Sequence, residues 1–155
     1  LVVPWTDSGQ AQLVTRALVA GHTGRVTDEA FTIAGRTFPR GSVVFTRAAN
    51  AGDLSGVVDL AREIGAETVP LESGWVDDGP NPGSAAFATL TAPRVAMLWD
   101  DGVSPLSAGA TRYVLEQRLG LPVAAVRTAR VARADLDAFD VIIAPDGNPA
   151  GALGS

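Results

Sequence analysis

Two acidic turns contain the residues of this sequence that are best suited to chemistry. Asp100 and Asp101 stand before Gly102, and Asp146 stands before Gly147. Carboxylates held close together bind a cation or a substrate amine, or share a proton as general acid and base. Asp-Gly pairs also end strands in solvated turns that carry no chemistry, and that interpretation is favoured for both turns.

Each acidic turn follows an apolar run that predicts a buried strand. The runs are VAMLW at residues 95–99 and DVIIA at residues 140–144, and the first is apolar on both faces, as a central parallel strand is. Parallel strands place their carboxyl ends at one edge of the sheet, where open α/β sheets bind their ligands. We therefore expect Asp100, Asp101 and Asp146 to line any ligand pocket at this edge.

A helix is predicted between these two strands, over residues 107–119. Gly120 provides a C-cap and Pro122 prevents the helix from continuing. The residues that we expect this helix to bury are Ala110, Val114, Leu115 and Leu119. The strand–helix–strand order predicts an α/β fold with a mostly parallel sheet flanked by helices.

The N-terminal half also alternates strands and helices. Asp7 or Ser8 is expected to cap a first helix that ends at Gly21, and a second helix is expected over residues 53–64, ending at Gly65. Short strands are expected at the start of the chain and over residues 67–71. We further expect a hairpin whose first strand holds Phe31 and Ile33 and whose second is residues 43–45, joined through the turn at residues 38–41.

Three segments follow from this pattern: a small α/β subdomain with a β-hairpin at residues 1–72, a connector at 73–93 and an α/β domain at 94–155. Trp75 and Phe87 are expected to pin the connector to neighbouring surfaces. Because the sequence has no initiator methionine, we expect a piece of a longer protein, with its targeting signal upstream and the rest of the last domain beyond its end.

The composition narrows the classes of function. The 155 residues are 46% hydrophobic and carry a net charge of −5, with arginine as the only strong cation. Scattered arginines in an acidic chain do not form the basic stripe that nucleic acids require, and no apolar run is long enough for a membrane span. Without cysteine or lysine, the chain has no thiolate nucleophile, thiolate metal ligand or Schiff-base amine.

The single histidine and the three tryptophans are also candidates for function. His22 follows the expected helix end, so a surface position is favoured over a role as ligand or base. Trp5, Trp75 and Trp99 could stack on sugars or aromatic groups. Each lies near a strand end or in the connector, so packing at the edge of a core is the favoured interpretation.

The order of these segments resembles a known family. The stretch PRVAMLWDDGVSPLSAGATRYVLEQRLGLPV, followed by DAFDVIIAPDG, resembles the opening of a class I glutamine amidotransferase-like domain. It is most similar to the version fused behind the peptidase domain of zinc carboxypeptidases of the carboxypeptidase A/T type, with its "PRVALY", "TRWVLEQ" and "YDVIILPD" segments. The upstream AFTIAGRTFPRGSVVFTRAAN resembles that group's "F…GGRTYPAGTFVI" segment.

The resemblance implies a class I glutamine amidotransferase-like fold with flavodoxin-like layering, and a secreted or extracytoplasmic parent that is a zinc metallocarboxypeptidase. The peptidase zinc site needs an H-x-x-E pair and a later histidine, whereas His22 is followed by Thr23, Gly24 and Arg25. Amidotransferase chemistry needs a cysteine, which this chain does not have. We therefore expect no catalytic residue, metal or cofactor here, zinc belonging to the parent.

Three functions remain as hypotheses. The leading one is a non-catalytic accessory domain that packs against the peptidase domain of the same polypeptide or positions its substrates, with no nucleic-acid or membrane partner and a homodimer left open. The alternative is a small-ligand-binding α/β module with Asp100, Asp101 and Asp146 lining an acidic pocket. The third is an independent hydrolase that uses a carboxylate pair as acid and base.

Overall fold

The structure of the protein is a computed structural model that describes residues 1–148. Its backbone forms two compact units, Leu1–Ala92 and Pro93–Ser155. Both combine helices with β-sheet, so the chain is a mixed α/β protein as predicted. The predicted end of the last domain beyond residue 148 lies outside the described residues.

The first unit contains a four-stranded sheet and a separate hairpin. The sheet has the order β1-β5-β2-β6, every neighbouring pair is antiparallel, and β3 pairs with β4 in the hairpin. The strands are β1 (Val2–Val3), β2 (Gly24–Val26), β3 (Phe31–Ile33), β4 (Arg36–Phe38), β5 (Val43–Phe45) and β6 (Ala88–Leu90).

The prediction of a mostly parallel sheet is wrong for this unit. Strands β1 and β2 are connected through a helix, but β5 lies between them and pairs antiparallel with each. The residues predicted as a strand at 67–71 form only a single bridge, in which Val2 and Val69 exchange two backbone hydrogen bonds of 2.8 Å. Strands and helices can therefore alternate along a chain although neighbouring strands in the sheet are antiparallel.

Two helices cover one face of this sheet, α1 (Ser8–Val19) and α2 (Ser55–Ile64). Asp7 caps α1 as predicted, because its side chain accepts a 2.7 Å bond from the Gly9 amide while Gln10 accepts one from the Asp7 amide. The Asp53 carboxylate accepts from the Ser55 amide at the start of α2, which ends at Gly65.

Side-chain alternation explains how the same short strands serve two cores. Val3, Val43 and Phe45 pack with the helices. Val2 and Val44 point to the opposite face, where they join a cluster of aromatic side chains. That second cluster contains Phe31, Ile33, Phe38 and Phe87.

The hairpin differs from the predicted one. Its strands are β3 and β4, with Phe31 opposite Phe38, so residues 43–45 belong to the other sheet. The connection is a two-residue turn in which Ala34 has φ 52° and Gly35 has φ 72°. Positive φ at both central positions is the geometry that matches the twist of paired strands. An alanine in the first central position gives little sequence signal for such a turn. The turn at residues 38–41, which was predicted to close the hairpin, connects the hairpin to β5.

The segment predicted as a connector is held closely to the first unit. It contributes β6, and Phe87 is buried while Trp75 is 77% exposed, so the expectation that both pin the segment is correct for Phe87 alone. The Arg25 guanidinium donates to the carbonyl oxygens of Pro82 at 2.6 Å and Ser84 at 3.0 Å, and also to that of Phe87.

The second unit contains a three-stranded parallel sheet, as predicted for this part of the chain. Its order is β8-β7-β9, with Val95 opposite both Val123 and Val141. The strands are β7 (Val95–Trp99), β8 (Val123–Arg127) and β9 (Val141–Ile143), and the helix between the first two is α3 (Pro105–Arg112), which continues as a π-helix (Tyr113–Arg118).

The helix α3 begins earlier and buries a different face than predicted. Ser104 is its N-cap and Pro105 occupies the first position, where a missing amide hydrogen costs nothing. Ala108 is buried against the sheet and Leu115 packs beside it, whereas Ala110 and Val114 are exposed. The π-helix adds a residue to the turn, which shifts the face that a regular α-helical pattern predicts.

At the amino end of the sheet, Arg94 and Asp140 join the starts of β7 and β9. The Arg94 backbone amide and guanidinium donate to the Asp140 carboxylate at 2.8, 3.2 and 2.9 Å. The hydrogen bonds from the Arg94 guanidinium are the main reason why the pKa of Asp140 is lowered from 3.8 to about 2. The same contact raises the pKa of Arg94.

Because the folded-state pKa of Asp140 lies below its ordinary value, the Arg94–Asp140 contact stabilises the fold above about pH 4 and is lost as the pH falls through about 2. An NMR titration of the Asp140 carboxyl carbon is expected to report a pKa near 2, and Arg94→Gln is expected to raise it. Arg62→Gln, which breaks the exposed pair with Asp59, should leave it unchanged. An Asp140 pKa near 3.8 in the unmodified protein would contradict the assignment.

Candidate functional site

The carboxyl edge of the parallel sheet brings the two predicted acidic turns together. Since β7 and β9 are neighbours, the loop after each strand begins at the same edge. The Ser104 amide donates to the Asp146 carbonyl at 2.7 Å, and the Asn148 amide donates to the Gly102 carbonyl at 2.7 Å. A β-bridge between Val103 and Gly147 completes this pairing, so the two loops form one surface.

The first turn of α3 holds the second acidic turn in place. The Ser107 hydroxyl oxygen accepts a 3.1 Å hydrogen bond from the Asp146 amide. The Ser104 side chain in turn accepts a 3.4 Å bond from the Ser107 amide, as an N-cap residue does. The position of Asp146 is therefore set by the helix as well as by the neighbouring loop.

Asp100 has an unusual backbone conformation. Its φ is +86°, in the left-handed region where a residue with a Cβ atom is strained, and its carbonyl accepts a 3.1 Å bond from the Val103 amide. Its carboxylate lies 3.7 Å from Nε of Arg127, which is the residue that ends β8. Strained residues of this kind are concentrated at functional sites, where the surrounding structure holds them.

The third loop of this edge follows β8 and contains Thr128. This side chain is buried, and its hydroxyl donates a 2.9 Å hydrogen bond to the Asp101 carbonyl oxygen. The Asp101 side chain itself is exposed. Sequence analysis did not select Thr128 or Ser107, although Ser107 stands in the first turn of the predicted helix and Thr128 directly follows the segment that forms β8.

The predicted carboxylates share an edge without forming a metal centre. No group of three or more histidine, cysteine, aspartate or glutamate side chains in residues 1–148 is arranged to hold a metal ion. Asp100, Asp101 and Asp146 are all exposed to solvent. The edge therefore presents carboxylates to solvent on a loop framework whose backbone is internally hydrogen-bonded.

His22 lies in the first unit, far along the chain from the acidic turns, and is half-buried rather than on the open surface. Its ring occupies the space over Gly56, where an added Cβ atom would lie 2.7 Å from Nε2. Hydrogen bonds from Ser55 are the main cause of the lowered pKa of Asp53, and the charge of His22 adds to it. The Ser55 hydroxyl and amide both donate to the Asp53 carboxylate, at 2.8 and 2.9 Å, just before the first turn of α2.

Comparison of the chain with protein-family models, with curated proteins and with solved structures finds no match. Within the described part of the chain, none of the helices combines the length and the apolar character that crossing a bilayer requires.

The contact between the two acidic loops depends on Gly147. A Cβ atom there would lie 2.3 Å from the Gly102 carbonyl oxygen, and φ is +140°. Gly147→Ala is expected to lower the free energy of unfolding by about 2 kcal/mol or more, from strain and overpacking. The measurement is urea unfolding followed by amide NMR signals of the second unit.

The matched control is Gly109→Ala in α3, where nothing lies within 4 Å of the added atom. Because alanine favours a helix over glycine, this change is expected to raise the free energy of unfolding by about 0.5–1 kcal/mol. Equal effects of the two substitutions would contradict the close approach of Gly147 to the Gly102 carbonyl, which leaves only 2.3 Å between that oxygen and an added Cβ atom.

Proposed function

We propose that this chain is a non-catalytic accessory region of a secreted zinc carboxypeptidase-like polypeptide, and that it acts by packing against the peptidase domain. The sequence resemblance and the strand order of the second unit support this proposal. In chain order that sheet reads 2-1-3, the order with which flavodoxin-like sheets begin. We accordingly assign the second unit to the class I glutamine amidotransferase-like fold.

An exposed apolar helix face is the observation that carries the proposal. Leu106 is 83% exposed and Tyr113 is 57% exposed, and a spacing of seven residues places them on one side of the helix. Ala110, which lies between them on the same side, is exposed, and so is Val114. Large apolar side chains that adjoin one another on a surface mark protein interaction sites.

The exposed edge of the parallel sheet is a second apolar surface of this unit. Strand β9 pairs only with β7 among the described residues, and its Val141 and Ile142 are exposed. Parallel sheets are normally covered on both faces, so side chains of this type are suited to contact with further protein. In the proposed role, packing of a neighbouring domain buries such side chains, and no bond chemistry is required of the chain.

The test uses the peptidase domain of the parent polypeptide and this chain, expressed separately. Leu106→Asp and Tyr113→Asp are each expected to weaken their association about tenfold or more, because a carboxylate would be desolvated in an apolar contact. Calorimetric titration measures this. Ala129→Asp, an exposed position in the 3-10 helix Thr128–Arg133, adds the same charge elsewhere and should change the affinity little.

Two results would contradict the proposal. One is unchanged affinity in both helix variants. The other is a parent reading frame without the H-x-x-E pair and later histidine that a carboxypeptidase zinc site requires.

The second candidate is binding of a small cationic ligand at the acidic edge. The observation that favours it is the position of the turns after β7 and β9, which lie on opposite sides of the point where the strand order reverses. Open α/β sheets bind ligands in the crevice at such a point. Asp100 holds a positive φ at this edge, a conformation that glycine adopts more easily.

Asp101→Ala is expected to weaken binding of L-arginine or spermidine to this edge, measured by amide shifts of Gly102 and Asn148 in NMR titrations. Asp100→Gly is expected to weaken binding too, while raising the free energy of unfolding by up to about 1 kcal/mol through relief of the positive φ. Asp137→Ala, at an exposed position in the 3-10 helix Leu136–Ala138, serves as the control. No saturable shift with either probe would remove this candidate.

A further inference from the structure

Trp5, in the first unit, is 46% exposed, and its backbone is hydrogen-bonded to a buried residue. Its backbone amide donates a 3.2 Å hydrogen bond to the Ser42 hydroxyl oxygen. Ser42 is fully buried, and its own hydroxyl donates to the Pro39 carbonyl at 2.6 Å. The residue is therefore anchored to the turn at residues 39–42 rather than left on a loose surface loop.

The indole ring of Trp5 lies directly over Gly41. An added Cβ atom at Gly41 would be 3.1 Å from Cγ and Cδ1 of the indole. Gly41 has φ +84°, and its amide donates a 2.8 Å hydrogen bond to the Thr27 carbonyl oxygen. A side chain at this position would be strained and would crowd the ring, so the glycine lets the indole rest against the backbone.

An open cleft of about 590 Å³ lies beside the ring. Its volume falls within the range of small-molecule sites. Trp5, Asp28 and Arg40 contribute the large and charged side chains of its lining, and Ala86 and Ala88 contribute only methyl groups. Within residues 1–148, neither Asp28 nor Arg40 has a side-chain partner in an ion pair.

We propose that this cleft binds a neutral sugar, with a pyranose ring stacked on Trp5. The C–H face of a pyranose suits a flat indole, and a sugar hydroxyl both donates and accepts hydrogen bonds. In the proposed complex one sugar hydroxyl donates to the Asp28 carboxylate and another accepts from the Arg40 guanidinium. A polyhydroxylated neutral ligand can use both groups at once, because each of its hydroxyls both donates and accepts.

The experiment titrates the full chain with cellotetraose, xylotetraose, mannotetraose and chitotetraose, following the indole Nε1–H NMR signals. At least one sugar is expected to bind saturably and to shift the Trp5 signal. Trp5→Ala is expected to weaken that binding about tenfold or more, as removal of a central aromatic contact does. The matched control is Trp75→Ala, since Trp75 is 77% exposed and does not line the cleft. The sugar affinity of this variant should be unchanged.

Two further variants keep the proposal testable if Trp5→Ala unfolds. Asp28→Asn and Arg40→Gln change exposed side chains, so the fold is expected to persist and sugar affinity to fall several-fold. Unchanged affinity in both would overturn the proposal. So would the absence of saturable binding by all four sugars, an equal loss in Trp75→Ala, or a Trp5 shift produced by adenosine or a proline-rich peptide and by none of the sugars.

Discussion

The architecture of the second unit depends on one strand that has no polar face. Ala96, Met97 and Leu98 of β7 are all buried, so both faces of this strand must be covered and both of its edges paired. Parallel neighbours can be connected only by crossovers, each of which returns the chain to the end of the sheet where the strands begin. The loops that follow the strands therefore all lie at the opposite, carboxyl end. The acidic turns and the hydroxyls of Ser107 and Thr128 lie together as a consequence of that topology.

The first unit meets the same requirement with antiparallel strands. Successive residues of β1 and β5 point to opposite faces, so the two helices and the hairpin each cover one apolar surface of a thin sheet. Trp5 follows β1, and Gly41 precedes β5, which pairs with β1. The cleft beside the indole is thus formed where two neighbouring strands enter and leave the sheet.

Three exposed surfaces of the molecule differ in chemical character. The helix face around Leu106 and Tyr113 is apolar, the edge around Asp101 is anionic, and the cleft at Trp5 joins an aromatic ring to a balanced pair of charges. Each is suited to holding another molecule.

Local sequence patterns determined the features that depend on neighbours along the chain: the Asp7 cap, the helix end at Gly65, the apolar strand at 95–99 and the acidic turns that follow the parallel strands. Only the tertiary structure decided that β5 separates β1 from β2, that Ala34 adopts a positive φ and that Thr128 supports Asp101. Strand order and such contacts depend on side chains distant in sequence competing to bury the same apolar surface, and no local periodicity records the outcome of that competition.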